Sequence, residues 1–381
     1  MGGPLHSSLV LSLASVGPAA RAARLLADYG AEVIEIGPPP GHDRTVPVFH
    51  AYAAHRGMRR MCVDLGHRDG AGVVSTLGRR ADVLLESFRP GVADRLGVGY
   101  ASLCQQNPRL VYCSTTGYGQ ADERSSWAGH DLNYVAASGF LACTEPNRAG
   151  GPPLPGATVA DSAGGGMHAV MAVLAALVAR GETGTGTYLD VSIVGGTLAM
   201  MGLAVDEYLA TGTEPGPGHG ILTGAYACYG CYQASDGKWL SVAAIERGFW
   251  ANLCREVGLD QWIDRQTDSA VQQRIRADLS AVFATRSRDE WVTRLAPADT
   301  CVAPVLTAAE AAEDAASHGL VGTARHPTRG EIRQLAPTLA GSGSPPAALP
   351  DWETTHTDQI LAEAEYGRTQ IAELRSRKVV A

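Results

Sequence analysis

A chain of 381 residues exceeds the usual reach of one hydrophobic core, so two domains, or one large and one small, are expected. With 45% hydrophobic and 18% charged residues it falls outside the disordered class and has ample core material. A formal net charge of -8 argues against a nucleic-acid partner, so any anionic ligand must be met by local arginines.

The apolar opening at 9–20 is preceded by no basic residue and is interrupted by Gly17-Pro18, so it reads as a core strand and turn and not as a leader peptide. Residues 9–13 form a strand in this reading, 19–29 a helix ended by Gly30, and 32–36 the next strand. Strands over 60–65, 83–86 and 110–115, with a helix over 71–80, continue the alternation, which predicts a parallel sheet covered on both faces. The turn after the first strand, Ala14-Ser15-Val16-Gly17-Pro18, lacks the GxGxxG spacing, and neither GxxxxGK[ST] nor HExxH occurs. Nicotinamide, flavin, phosphoryl transfer and zinc hydrolysis fall away with them.

Beyond Asp161, glycines over 162–166 lead into a helix over 167–180, and a second long helix is expected over 193–209, followed by a loose linker at 211–220. Residues 232–242 carry a hairpin-like Ser235-Asp236-Gly237, helices follow over 249–257 and 270–283, and these make a smaller α+β domain. A loop rich in Gly, Ser, Pro and Ala over 337–350 precedes a terminal helix over 357–377. No run reaches the roughly 18 to 20 apolar residues of a membrane span, and a cytoplasmic location is expected. Eight scattered cysteines read as free thiols, and the lone pair Cys228 and Cys231 lacks the second pair a zinc site needs, so no metal is expected.

Three stretches put an ionisable side chain beside small or aromatic residues at an element boundary: Gly129-His130-Asp131-Leu132-Asn133-Tyr134, Ala160-Asp161-Ser162-Ala163-Gly164, and Ala243-Ala244-Ile245-Glu246. His130 is one of eleven histidines, and Asp161 ahead of a helix has an ordinary reading as an N-cap. The glycines shift the balance, because small residues at a helix start let a ligand approach backbone N–H groups, where the dipole favours negative charge. Asp131 reads equally as a ligand contact or a helix cap.

In this order, and together with LADYGAEVIEI, FRPGVADRLGVGY, NPRLVYCSTTGYGQ and DTCVAPVL, these motifs are similar to the alpha-methylacyl-CoA racemases of the family III CoA-transferase (CaiB/BaiF-like) superfamily, over roughly residues 1–325. The resemblance implies an α/β fold with a large Rossmann-like domain and a smaller α+β domain: 1–190 the large domain, 191–225 a linker helix and loop, 226–315 the small domain, and 316–381 a return to the large one. It also implies an interlocked homodimer with active sites shared between chains. His130 and Asp161 become the two acid/bases of a 1,1-proton transfer on a 2-methylacyl-CoA, with Glu246 supporting His130. Coenzyme A enters as part of the substrate and no further cofactor is implied. Arg56, Arg89 and Arg95 fall where phosphate contacts are expected, Val63, Asp64, Leu65 and Gly66 where the adenine side lies, and Phe88, Gly129, Asp131, Leu132, Asn133 and Tyr134 along the substrate. The chain departs from the racemase pattern at Pro38, Gly230 and Arg247. A family III CoA-transferase, with Asp161 as the nucleophile of an acyl-enzyme anhydride, is the alternative reading.

Overall fold

The structure, a computed structural model, describes residues 3–40, 55–337, 348–349 and 354–381. The chain forms two compact units, Met1–Ser138 with Pro155–Met201 and Ala315–Ala381 in the first, and Gly139–Leu154 with Gly202–Asp314 in the second.

The first unit is built on six strands, β1 (Leu9–Ser12), β2 (Glu32–Gly37), β3 (Met58–Cys62), β4 (Val83–Glu86), β5 (Val111–Thr116) and β6 (Tyr188–Ser192). They pair in the order β3-β2-β1-β4-β5-β6, parallel throughout. Alternate residues supply two buried clusters, Leu11, Ile34, Met61 and Leu84 in one and Val10, Val33, Leu85 and Val111 in the other, as a sheet covered on both faces requires. Helix α1 (Gly17–Asp28) carries Pro18 in its first turn, where no N–H partner is needed, and buries Ala19, Ala22, Ala23 and Leu26 along one stripe. Helix α2 (Gly70–Gly78) and the short α3 (Val92–Arg95) and α4 (Tyr100–Cys104) follow. Strand β6 is absent from the sequence reading because its alternating, half-exposed Tyr188-Leu189-Asp190-Val191-Ser192 lies at the sheet edge and lacks an apolar run.

Three helical expectations need correction. The helix anticipated over 167–180 begins earlier: a π-helical turn, Ala160–Met167, runs directly into α6 (His168–Thr183), after helix α5 (Asp131–Ala137). At 24 residues this continuous run is long and apolar enough to span a bilayer, contrary to the sequence reading, yet Ala169, Val170, Val173 and Ala176 pack into the sheet's core. The helix expected over 193–209 is two, α7 (Ile193–Met200) and α8 (Gly202–Thr211), interrupted at Met201 just before a permissive glycine.

In the second unit β7 (Tyr229–Gln233), β8 (Trp239–Ala243) and β9 (Val302–Pro304) form an antiparallel sheet with the anticipated hairpin turn, Gly237 taking a φ of 77°. Helices α9 (Arg247–Val257), α10 (Gln272–Phe283) and α11 (Arg288–Leu295) cover a core of Trp250, Trp262, Phe283 and Trp291. After α12 (Ala308–Ser317) the first unit resumes with the hairpin β10 (Val321–His326) and β11 (Gly330–Leu335). The terminal helix divides into α13 (Thr357–Glu363) and α14 (Arg368–Ser376), broken where Glu365 takes a φ of 68°. Of the loop expected over 337–350, residues 338–347 and 350 lie outside the described residues.

Candidate active site

The strand order reverses between β1 and β4, and ligands of open parallel sheets bind beyond the carboxyl ends of the strands at such a point. Val16, Gly17 and Pro18 after β1, Ser87 to Pro90 after β4, and Thr115 to Gly117 at the end of β5 line a cavity of about 540 Å³ there. His130, Asn133 and Tyr134 of the α5 start and Asp161 of the π-helical turn complete its walls.

His130 is the N-cap residue of α5 and caps it with its backbone: its N–H donates to Asn133 Oδ1 at 3.0 Å and its carbonyl accepts from Asn133 N–H at 2.8 Å. The imidazole is thereby left out of the cap, on an exposed residue facing the cavity. Tyr134 fixes the preceding residue, its hydroxyl donating to the Gly129 carbonyl at 2.7 Å, while its ring packs edge-on against Tyr118. Gly117 and Gly129 flank that ring so closely that a Cβ would stand 2.5 Å and 2.7 Å from its Cε1. The Gly129-His130-Asn133-Tyr134 motif is therefore a device for setting one histidine. Burial pushes the Tyr134 phenol up to about 12, with the Asp161 charge adding to it.

Asp161 is tied to α5 through Asp131, whose Oδ1 accepts the Asp161 N–H at 2.8 Å. Burial raises the Asp161 carboxyl above its ordinary range, the Asp131 charge raises it further, and Arg21 and His130 oppose them. The adjacent glycines serve packing: a Cβ on Gly164 would meet Thr197 Oγ1 at 2.3 Å, one on Gly165 would meet Pro18 Cβ at 2.6 Å, and one on Gly196 would meet the Gly164 carbonyl oxygen at 1.9 Å. They bring the π-helical turn against α1 and α7. Two of the amides expected to face a ligand here are engaged within the fold, the Asp161 N–H with Asp131 and the Ser162 N–H with the Thr158 carbonyl at 2.9 Å.

The family model for CoA-transferase family III matches residues 5–351. The chain belongs to CoA-transferase family III. This family III chain is 32% identical to the alpha-methylacyl-CoA racemase of Mus musculus, over 99% of its own length and 97% of the relative's, and 31% identical to that of Homo sapiens over the same shares. It is also 30% identical to the acetyl-CoA:oxalate CoA-transferase of Acetobacter aceti, over 81% of this chain and 82% of the relative. Among solved structures a CaiB/BaiF family protein from Brucella suis superposes with a TM-score of 0.79 at 27% identity, covering 96% of this chain and all of that one, 100%.

The other expected site residues of the family III chain divide sharply. Phe88 and Arg89 line the cavity, whereas the Asp131 and Leu132 side chains are not part of its wall, Asp131 bonding the Asp161 amide and Leu132 being exposed. Arg95, at the end of α3, is exposed and lies outside the cavity wall. Along the adenine-side stretch the Val63 N–H bonds the Gly37 carbonyl, the Asp64 N–H the Val379 carbonyl, and the Gly66 N–H Asp64 Oδ1, so Leu65 retains the amide not engaged in these bonds. Arg56 is 2% exposed and gives Nε and Nη2 to the two oxygens of Asp28, at 2.9 Å and 2.6 Å, and Nη1 to the Leu335 carbonyl. Its fork is committed inside the fold, so a phosphate contact would require the guanidinium to leave Asp28. Glu246, in the second unit, is the N-cap residue of α9, and Gln266 Nε2 holds the preceding Ala244 and Ile245 carbonyls at 3.0 Å and 2.6 Å. The sequence reading missed Val16 to Pro18 and Trp127 as cavity residues. The first of these had a signal, as the turn after the first strand of a parallel sheet; Trp127 had none.

Proposed function

We propose that this chain is a racemase or epimerase of 2-methylacyl-CoA thioesters, acting in the cytoplasm by 1,1-proton transfer. The observation that carries the reading is that two acid/base side chains, His130 and Asp161, reach one cavity from different helices at the switch point of the sheet. In one direction the neutral His130 imidazole takes the α-proton, the C–H electron pair moves into the thioester carbonyl to give an enolate, and protonated Asp161 delivers a proton to the opposite face. The raised Asp161 carboxyl favours that protonated form, and the roles reverse for the other epimer. The enolate oxygen needs preorganised donors, each worth on the order of 100-fold to 1,000-fold in other enzymes. With the Asp161 and Ser162 amides engaged, and the His130 and Asn133 amides used in the α5 cap, the Asp131 amide beside His130 is the donor we assign. Coenzyme A enters as part of the substrate and no further cofactor is required.

Incubated in deuterated water with a 2-methylacyl-CoA and no acceptor acid, the wild-type protein is expected to exchange the α-proton. The second reading, a CoA-transferase with Asp161 as nucleophile, is favoured by the similarity to an acetyl-CoA:oxalate CoA-transferase. Turnover only with an acceptor acid, together with trapping of Asp161 by hydroxylamine, would establish it instead.

We also propose an interlocked homodimer in which the partner subunit's Glu246 supports His130. Its support is the apolar surface of a helical run that exposes Met167, Met171 and Val178, the last 71% exposed. Co-expressed His130→Ala and Glu246→Ala chains are then expected to recover roughly a quarter of wild-type activity, because half the dimers are mixed and each holds one intact site of two. No recovery above either variant alone would refute the sharing.

A further inference from the structure

The loop after β4 separates two cavities, the one described above and a second of about 260 Å³ lined by Glu86, Asp94, Tyr100, Tyr112, Gln120 and Tyr188; Arg89 borders both. At the root of this loop stands Glu86, the last residue of β4 and only 3% exposed. A carboxyl group is retained at such depth only where hydrogen bonds hold it. Its Oε2 accepts the Phe88 N–H at 2.6 Å, folding the side chain back over the bend that carries the chain out of the sheet. Ser114 lies directly opposite in the β4–β5 register and hydrogen-bonds the same carboxyl, while Ser114 Oγ accepts from Gln120 Nε2 at 2.9 Å. The Thr115 hydroxyl donates to the Glu86 carbonyl at 3.4 Å. Both the side chain and the backbone of Glu86 are thus anchored to β5, and the group they hold is the amide one residue before Arg89.

We propose that Glu86 is a positioning residue of the acyl-CoA site: by holding the Phe88 amide it fixes the loop on which Arg89 meets the anionic part of the thioester ligand. The carboxyl lies outside the wall of the larger cavity, so it acts through the loop and not by contact. The inference rests on the acyl-CoA reading above and deepens it. Arg89 is exposed and borders the cavity on a bend that no helix or strand holds, so its aim depends on what pins the bend.

The test uses the full-length protein, coenzyme A itself as the binding probe, and α-proton exchange on a 2-methylacyl-CoA as the activity. Glu86→Ala is expected to weaken coenzyme A binding and raise KM about tenfold, with kcat changed less than about threefold. Glu86→Asp, which keeps the buried carboxyl group but is one methylene too short to reach the Phe88 N–H, should show the same loss. Glu86→Gln, which keeps an acceptor oxygen at that place, should recover most of the affinity. Arg89→Ala should resemble Glu86→Ala, and the double variant should bind no more weakly than Arg89→Ala, since both changes remove one contact. Additive losses, or a Glu86→Ala protein that melts earlier and loses kcat at an unchanged KM, would mean that Glu86 merely supports the fold. If wild type binds coenzyme A with this pattern but exchanges no α-proton, the epimerase reading falls and the positioning role stands. If wild type exchanges and both Glu86→Ala and Glu86→Asp bind coenzyme A as wild type does, the positioning role falls alone.

Discussion

His130→Ala is expected to slow α-proton exchange on a 2-methylacyl-CoA by about 10² to 10⁴-fold, the usual worth of a positioned general base. Stability should hardly change, because the α5 cap is made by the His130 backbone and the Asn133 side chain, which alanine leaves in place. Mass-spectrometric deuterium uptake at saturating substrate, alongside a thermal melt, measures both. Full exchange by a folded His130→Ala protein would end the two-base mechanism.

Asp161→Asn should lose exchange to a similar degree, and its stability carries a second signature. Burial first, and the Asp131 charge next, raise the Asp161 carboxyl above its unfolded range. Such a group favours the folded state only while protonated: its contribution is fully present below the ordinary aspartate range and is lost as pH rises through the folded value. Asparagine is neutral throughout. The variant should therefore melt higher than wild type at neutral pH, with the advantage shrinking to nothing on acidification from neutral pH to below the ordinary aspartate range. The hydrogen bond from the residue 161 amide to Asp131 survives the substitution, so no loss of anchoring offsets the gain. An Asp161→Asn protein that melts at or below wild type at neutral pH would mean that the carboxylate is welcome where it stands, and the proton-donor role would lose its electrostatic basis.

The sheet was legible where burial on both faces forces continuous apolar runs, as in Leu9–Ser12 and Val83–Glu86, and illegible at β6, whose edge position allows polar alternation. Helix existence was readable, but continuity was not: the break at Met201 and the left-handed Glu365 answer to tertiary demands that no local pattern carries. In the site, motif order brought out His130 and Asp161, which share a cavity, because each stands at an element boundary. The roles of their neighbours escaped local reading. Gly164 to Gly166 looked like a ligand's approach and form the contact surface of three helices, and Asp131, open to reading as a ligand contact or a cap, bonds an amide 30 positions away. Arginines were the least legible, since exposed and committed guanidiniums share one letter and differ only in long-range partners.

That difference is open to measurement at Arg56. Arg56→Ala is expected to destabilise the first unit by about 3 to 5 kcal/mol, the range for breaking a buried ion pair on one side. The loss would come less from attraction forgone than from Asp28, whose side chain is 7% exposed and would keep its charge with no counterion at 2.6 Å. The pairing of Arg56→Met with Asp28→Asn should therefore be milder than Arg56→Ala alone, because it removes both charges and keeps most of the packing volume. Urea titration followed by helical signal gives the stabilities, and coenzyme A titration of the folded fraction gives the affinity, which should stay within about threefold of wild type. If Arg56→Ala instead keeps its stability and binds coenzyme A tenfold or more weakly, the guanidinium must leave Asp28 when ligand arrives. The sequence reading of Arg56 as a phosphate ligand would then hold for the bound state, and the ion pair would be its resting place.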